Sequence, residues 1–475
     1  MTAANRPSKT GRATPASRAV AAAMACALLA TGGPASAQRQ PPPTNAFPVI
    51  RDTEIEQLLR DYTNPLLRAA GLAKQNVQVV LINQRSFNAF VIDGRRIFVN
   101  TGALMESETP NQIIGILAHE TGHIAGGHLA KMRDQLASAS NAAILAMLLG
   151  IGAMVAGGAA GIQGSSDIGM ATIQGSQEYL RKSLLSYQRA HEDQADRAAV
   201  KFLTATGQSA KGMYQTFKRL GDQIMFAARN ADAYAQSHPL PAERVRTLEG
   251  IARESPYWDR ADSPDLQFRH DMMRAKLYGF IERPDTILRR YPLSDTSLPA
   301  RYARTISSYR FGDVRNAVAQ IDALIAAQPG NPYFYELKGQ ALLEAGQPAQ
   351  AIAPLRKAAS MVAQPALIQI MLGQALVAAN NPQYADEAIV MLRNALAREP
   401  EYAQGYSQLA IAYGRKGDLA QADLASALAA VARGDVKTAR ELAARARTRF
   451  PVGSPGWVKA DDIVALKAPS GPNVR

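Results

Sequence analysis

The chain has 475 residues, of which 47% are hydrophobic and 20% charged, and its formal net charge is +13. That length and composition suit two globular domains with separate cores, and exclude a disordered or fibrous protein. Aromatics are only 6% and no dense basic run occurs, which argues against nucleic-acid binding; the single cysteine, Cys26, excludes a disulfide framework.

Residues 1–37 read as a secretory signal peptide. Arg6, Lys9, Arg12 and Arg18 precede an apolar stretch from Ala19 to Ala30, and Ala35-Ser36-Ala37 supplies small residues for cleavage. That segment holds four bases and no acids, so its removal takes the net charge from +13 to +9 and leaves no thiol in the mature chain. Residues 38–50 form a proline-rich linker. Residues 51–255 read as an α+β domain. Helical spacing from Asp52 to Ala70 is followed by strand-like blocks at Val77–Ile82, Phe87–Ile92 and Ile97–Asn100, with Asp93-Gly94 marking a hairpin. Pro110 to Met132 reads as one helix and Tyr179 to Thr204 as another. Between them no charge occurs from Gln135 to Ser166. One membrane crossing there would put the two helices on opposite sides of a bilayer, and two crossings need about 40 residues. The apolar segment 142–160 is therefore read as a hairpin, either buried in the core or in peripheral contact with a membrane.

Beyond Ala252 the texture changes, with Ser255-Pro256 and Ser263-Pro264 punctuating a short linker. Residues 265–465 read as helical repeats. Gly312-Asp313, Gly346-Gln347, Asn380-Asn381 and Gly417-Asp418 recur at a spacing of about 34 residues, as do Pro329, Pro365 and Pro400, and Gly339 and Gly373. That period is the one of tetratricopeptide repeats, in which helix pairs stack because no single pair buries its own face. Gly434-Asp435 has the look of a final capping pair, and residues 466–475 read as a disordered tail. The expected fold is mostly α: a metallopeptidase domain with a small β-sheet, followed by an α-solenoid of tetratricopeptide helix pairs.

The chemistry sits on the first strong helix. His119 and His123 are four residues apart, so their side chains leave one face about 6 Å apart along the axis, as two imidazoles sharing a zinc ion require. Glu120 reaches a water at that ion without binding it, the position of a general base. Five of the six histidines fall between residues 119 and 238. Two readings compete for the third ligand. Gly126 and His128 resemble the metzincin pattern, but that pattern needs its histidine six residues after the second one, and here the distance is five. Glu192 with Asp196 one turn later fits a gluzincin site, in which the aspartate braces the first histidine.

Asn88-Ala89-Phe90, Ile97-Phe98-Val99-Asn100-Thr101-Gly102, the HExxH helix, Arg189 with Glu192, Ala195 and Asp196, and His238-Pro239 with Arg244 closely resemble the HtpX-type and BepA-type zinc peptidase family. The motifs run in the family's order from residue 88 to 244. A signal peptide in front and repeats behind are similar to the periplasmic BepA-like branch of Gram-negative bacteria. The resemblance implies one zinc per chain held by His119, His123 and Glu192, with Glu120 catalytic. It implies that His238 takes zinc's fourth position and keeps the enzyme latent. A fourth protein ligand closes the position that catalysis needs, so His238 must also swing away, where it would assist the oxyanion. Arg244 is expected to anchor the His238 loop or to help the transition state, and Asp196 and Arg189 to support the ligands. His128 and His191 are read as supporting or structural. Residues 88–90 resemble the family's edge strand, to which an extended substrate adds as a further strand. Gln188 and Ala199 depart from the family's usual serine and glycine.

The leading functional expectation is a periplasmic zinc endopeptidase that cleaves misfolded or stalled outer-membrane proteins, with the repeats docking substrate or the outer-membrane assembly machinery. The alternative is a chaperone or adaptor in which the repeats act and the zinc site is latched. A third reading is an inner-membrane peptidase anchored by an uncleaved signal and the 142–160 segment.

Overall fold

The computed structural model describes residues 48–132, 134, 188–226, 234 and 238–466. The signal peptide, most of the linker, the apolar segment 142–160 and the C-terminal tail expected above lie outside these. The peptidase region opens with β1 (Val49–Ile50) and α1 (Thr53–Ala69), the latter capped by Asp52, whose side chain accepts from the Ile55 amide. Then come β2 (Gln78–Ile82), β3 (Ala89–Asp93) and β4 (Arg96–Asn100), with the expected turn at Gly94 between the last two. The sheet order is β1-β2-β4-β3, with β2 and β4 parallel and the outer pairs antiparallel. Next are α2 (Thr101–Glu106), α3 (Pro110–Ala125), α4 (helical residues 188–205), α5 (Lys211–Phe226) and α6 (Ala242–Arg253).

The single helix expected from Pro110 to Met132 is broken. It stops at Ala125, Gly127 adopts φ +62°, and residues 128–132 restart a helix in a new direction. Glycine alone reaches that left-handed conformation without a Cβ penalty. α3 is buried along most of its length, with Ile113, Ile116 and Leu117 packed into a core shared with Leu59, Tyr62 and Val99.

The repeats run from α7 (Pro264–Ile281) and α8 (Pro284–Arg290) through α9 (Leu298–Phe311), α10 (Val314–Ala327), α11 (Pro332–Glu344), α12 (Pro348–Met361), α13 (Ala366–Ala378) and α14 (Ala385–Leu396). They end with α15 (Ala403–Arg415), α16 (Leu419–Ala432), α17 (Val436–Arg449) and α18 (Pro455–Val464). Asp313, Asp418 and Asp435, the residues read as turn markers, each cap the helix that follows. Gly346 and Gly417 take positive φ at the turns, and Asn380 does the same at +52°. The 37-residue step from Asn380 to Gly417 exceeds the 34-residue period by the three residues of a 3-10 turn, Pro382–Tyr384. Gly339 and Gly373 sit where a Cβ would strike Leu355 and Leu392 respectively, so the same close approach of paired helices recurs one period apart.

α7 belongs to both regions. Met273 and Leu277 enter the peptidase core while Met272 and Ala275 enter that of the first repeats. No sharp boundary therefore falls at residues 255–265. Lys276 on the same helix is buried, with its Nζ 2.7 Å from Asp52 Oδ2 and 3.2 Å from Glu54 Oε2. Tyr302 donates to Glu54 and Thr53 donates to Glu336, so α1 is tied to α7, α9 and α11 by one buried polar network. These partners offset the cost of burying the charges, with Glu336 Oε2 left 3.9 Å from Lys276 Nζ and without a hydrogen bond among the described residues.

His270 on α7 is a second tie. Its Nδ1 accepts from Tyr62 Oη at 3.0 Å and its Nε2 donates to the Ser107 carbonyl at 2.8 Å. Burial pulls its pKa from 6.5 down to about 4, so it stays neutral in the folded chain. The unfolded chain then binds more protons between those values, and the stability His270 contributes is complete above pH 6.5 and lost as pH falls toward 4. Wild type should therefore lose up to about 3 kcal/mol relative to His270→Gln between pH 7 and pH 4. Denaturant unfolding of both proteins across that range checks this; a pH-independent difference would exclude it.

Candidate metal centre

His119, Glu120 and His123 lie on α3, and Glu192 and Asp196 on α4. The two helices meet at Gly122 and Ala195. A Cβ on Gly122 would lie 2.8 Å from the Ala195 carbonyl oxygen and 3.0 Å from its Cα. The missing side chain thus lets the backbones close up, and Glu192, about one turn before Ala195, comes level with both histidines. Gly122→Val should force α3 and α4 apart and strip the bound metal; metal content per purified chain, with the melting temperature, reads this out, and full occupancy would contradict it.

One donor atom from each of His119, His123, Glu192 and His238 falls within 4.8 Å of all the others. His119 Nε2 is 3.0 Å from His123 Nε2, 3.3 Å from Glu192 Oε2 and 3.4 Å from His238 Nδ1. His123 Nε2 is 3.5 Å from Glu192 Oε1, and His238 Nδ1 is 3.1 Å from Glu192 Oε2. A tetrahedral ion with bonds of about 2.0–2.1 Å has donor–donor edges of about 3.3 Å. The four separations that take Oε2 as the Glu192 donor, 3.0, 3.1, 3.3 and 3.4 Å, lie around that value. Charge agrees as well: the buried carboxylates of Glu192 and Asp196 share one guanidinium, Arg244, leaving net negative charge at the cluster for a bound cation to offset. The residues present therefore fit a divalent metal.

Two groups brace the cluster. Asp196 Oδ1 is 2.9 Å from His119 Nδ1, and Arg244 grips Asp196 with Nε at 2.7 Å and Nη2 at 2.9 Å. Arg244 Nη1 reaches Glu192 Oε2 and donates to the Pro239 carbonyl, both at 2.9 Å, so it also holds the chain just after His238. Burial works to lower the His119 pKa, but the Asp196 and Glu192 carboxylates outweigh it and hold it at about 9. Burial lowers His123 to about 3. For Glu192, burial pushes upward, yet His238 and the hydrogen bonds from His119 and His123 carry it well below the usual carboxylate range. Burial raises Glu120. Both Glu120 oxygens are buried with no hydrogen bond among the described residues, and Oε1 lies 3.5 Å from His238 Nε2.

The structure thus brings together His119, Glu120, His123, Glu192, Asp196, His238 and Arg244. It does not bring Arg189 to them. Arg189, expected as a support, is exposed. It stands about one turn before Glu192, with its side chain in solvent. His128 stays outside the donor set and instead touches His123 from behind. Asn88 precedes β3 and Ala89 and Phe90 begin it; β3 closes the described sheet on one side and packs beside α3. Ala199 is buried in the peptidase core, away from the donors. The sequence reading missed Tyr234. Its ring stacks on His238, with centroids 4.6 Å apart, and meets Phe217 and Phe87 behind. Its backbone carbonyl accepts from the His238 amide at 2.8 Å. The available signal was the four-residue spacing between Tyr234 and His238.

A helix bearing HExxH, crossed by a second helix that supplies a carboxylate and its brace, defines a metallopeptidase. Residues 51–252 match the profile of Peptidase family M48. The chain is 25% identical to the beta-barrel assembly-enhancing protease of Yersinia pestis over 86% of its own length and 82% of the relative's. It is 25% identical to the protein of the same name from Escherichia coli K12, over 71% of this chain and 68% of that one. A crystal structure of MamA also aligns with 34% of this chain and 89% of its own, at 21% identity and a TM-score of 0.28, too loose a likeness to add to the helix pairing described above. Among the described residues no helix is long and apolar enough to cross a membrane.

Proposed function

We propose that this chain is a zinc endopeptidase of the bacterial periplasm that cleaves misfolded or stalled outer-membrane β-barrel proteins. The observation that carries the reading is the convergence of His119 and His123 of the HExxH helix with Glu192 and His238, one donor atom of each lying within 4.8 Å of the others. Three imidazoles and a carboxylate favour zinc over harder cations. The substrate class is supported by the beta-barrel assembly-enhancing relatives, and the compartment by the signal-like N-terminus. The stacked helix pairs suit docking of substrate or of the outer-membrane assembly machinery.

Bound at the cluster, zinc supplies a Lewis acid that polarises the scissile carbonyl and acidifies the attacking water. His119, His123 and Glu192 would hold it, and Asp196 would keep the His119 ring in its binding orientation. Glu120, free of other hydrogen bonds among the described residues, takes the proton of the attacking water and returns it to the leaving amine. Residues 88–90, on the strand beside α3, are where an extended substrate docks.

His238 as a fourth donor favours a second reading, a chaperone or adaptor with a latched site. Four protein ligands leave no position for substrate. In the peptidase reading His238 is a latch that opens. His238→Ala should then raise the rate at which purified chain cleaves an unfolded outer-membrane barrel precursor, measured by gel. A His238→Ala protein that holds zinc but cleaves no faster than a fully latched wild type, while still preventing precursor aggregation, would favour the chaperone.

A further inference from the structure

We propose that His128 is a positioning residue that fixes the proton and the orientation of the His123 ring. The inference rests on the reading of His123 as a zinc ligand.

His123 turns Nε2 toward the cluster, 3.0 Å from His119 Nε2 and 3.5 Å from Glu192 Oε1. To offer a lone pair there, the ring must carry its proton on Nδ1, and that buried N–H needs an acceptor. The acceptor is His128 Nδ1, at 3.1 Å. His128 must then carry its own proton on Nε2, which lies 3.2 Å from Gln194 Oε1. The chain has one consistent direction: His123 Nδ1–H donates to His128 Nδ1, and His128 Nε2–H donates to the Gln194 amide oxygen. Reversing it puts the His123 proton on Nε2, where it points at His119 and blocks the lone pair.

The backbone is built for this contact. Gly127 at φ +62° turns the chain back after α3, which is how a residue only five positions beyond His123 returns to it. Gly126 leaves room for the returning ring, since a Cβ at that position would fall on the His128 imidazole. His191 lies flat against the other side of His128, with centroids 4.3 Å apart and planes 6° from parallel. The two helical ligands are thus backed differently: His119 by the Asp196 carboxylate, His123 by a neutral imidazole.

The test uses the full chain and measures zinc affinity by competition with a chelator of known affinity, together with the melting temperature of the metal-free protein. His128→Leu removes the acceptor, Gly126→Ala displaces the ring, and His128→Gln restores an acceptor oxygen. The first two should weaken zinc binding by roughly 10–100-fold. His128→Gln should recover most of the loss, and the metal-free melting temperatures should not order the variants in the same way. Wild-type affinity in both His128→Leu and Gly126→Ala would overturn the inference, as would a His128→Gln no better than His128→Leu. A wild-type chain that takes up no zinc would instead overturn the ligand reading beneath it.

Discussion

Replacing Glu120 by Gln is expected to lower proteolysis by about 10²–10⁴-fold while leaving zinc content and fold unchanged. The substitution is isosteric, and the side chain is fully buried against His238 with no hydrogen bond among the described residues for the amide to disrupt. What disappears is the ability to accept a proton in the transition state. Cleavage rates on an unfolded barrel precursor, with zinc per chain measured on the same preparations, check this. Undiminished cleavage would remove Glu120 as the base. Cleavage lost together with zinc would make its role structural.

The second large effect is on stability. Arg244→Met should destabilise the metal-free protein by about 3–5 kcal/mol, because it leaves Asp196 and Glu192 buried without their cation. Arg244→Lys should rescue little, since an ammonium cannot reproduce the forked contact with both Asp196 oxygens and also reach the Pro239 carbonyl. Zinc supplied in excess should recover part of the loss, because it binds only the folded state and neutralises Glu192. Equilibrium unfolding with and without zinc measures both terms. A loss below about 1 kcal/mol would place Arg244 among solvated surface pairs.

Much of the fold was legible because it is written in short periods. The 34-residue recurrence of turn residues located the helix pairs, and Asp313, Asp418 and Asp435 proved to be the caps that stop and start them. β2, β3 and β4 were found to within two residues, because alternating β-rich runs bounded by Asn and Gly carry that signal locally, whereas the two-residue β1 lay unread in the expected linker. The pairing of His119 and His123 was readable from spacing and residue type, whereas Glu192 competed with His128 for the third place until the family resemblance favoured it. The break at Gly126-Gly127 was hidden by the apolar pattern continuing to Met132. The Lys276 network was invisible, since Asp52, Glu54 and Glu336 reach it from elements far apart in sequence. Gln194 looked like one polar residue on a helix face, and only the ring of His128 beside it gives it a task.

X-ray diffraction from crystals of the mature chain, recorded on either side of the zinc absorption edge, addresses the metal directly. One anomalous peak is expected, about 2.0–2.2 Å from His119 Nε2, His123 Nε2 and a Glu192 oxygen. Zinc-loaded crystals with no peak between those three side chains, or with the ion held elsewhere, would contradict the assignment of this chain as a zinc peptidase.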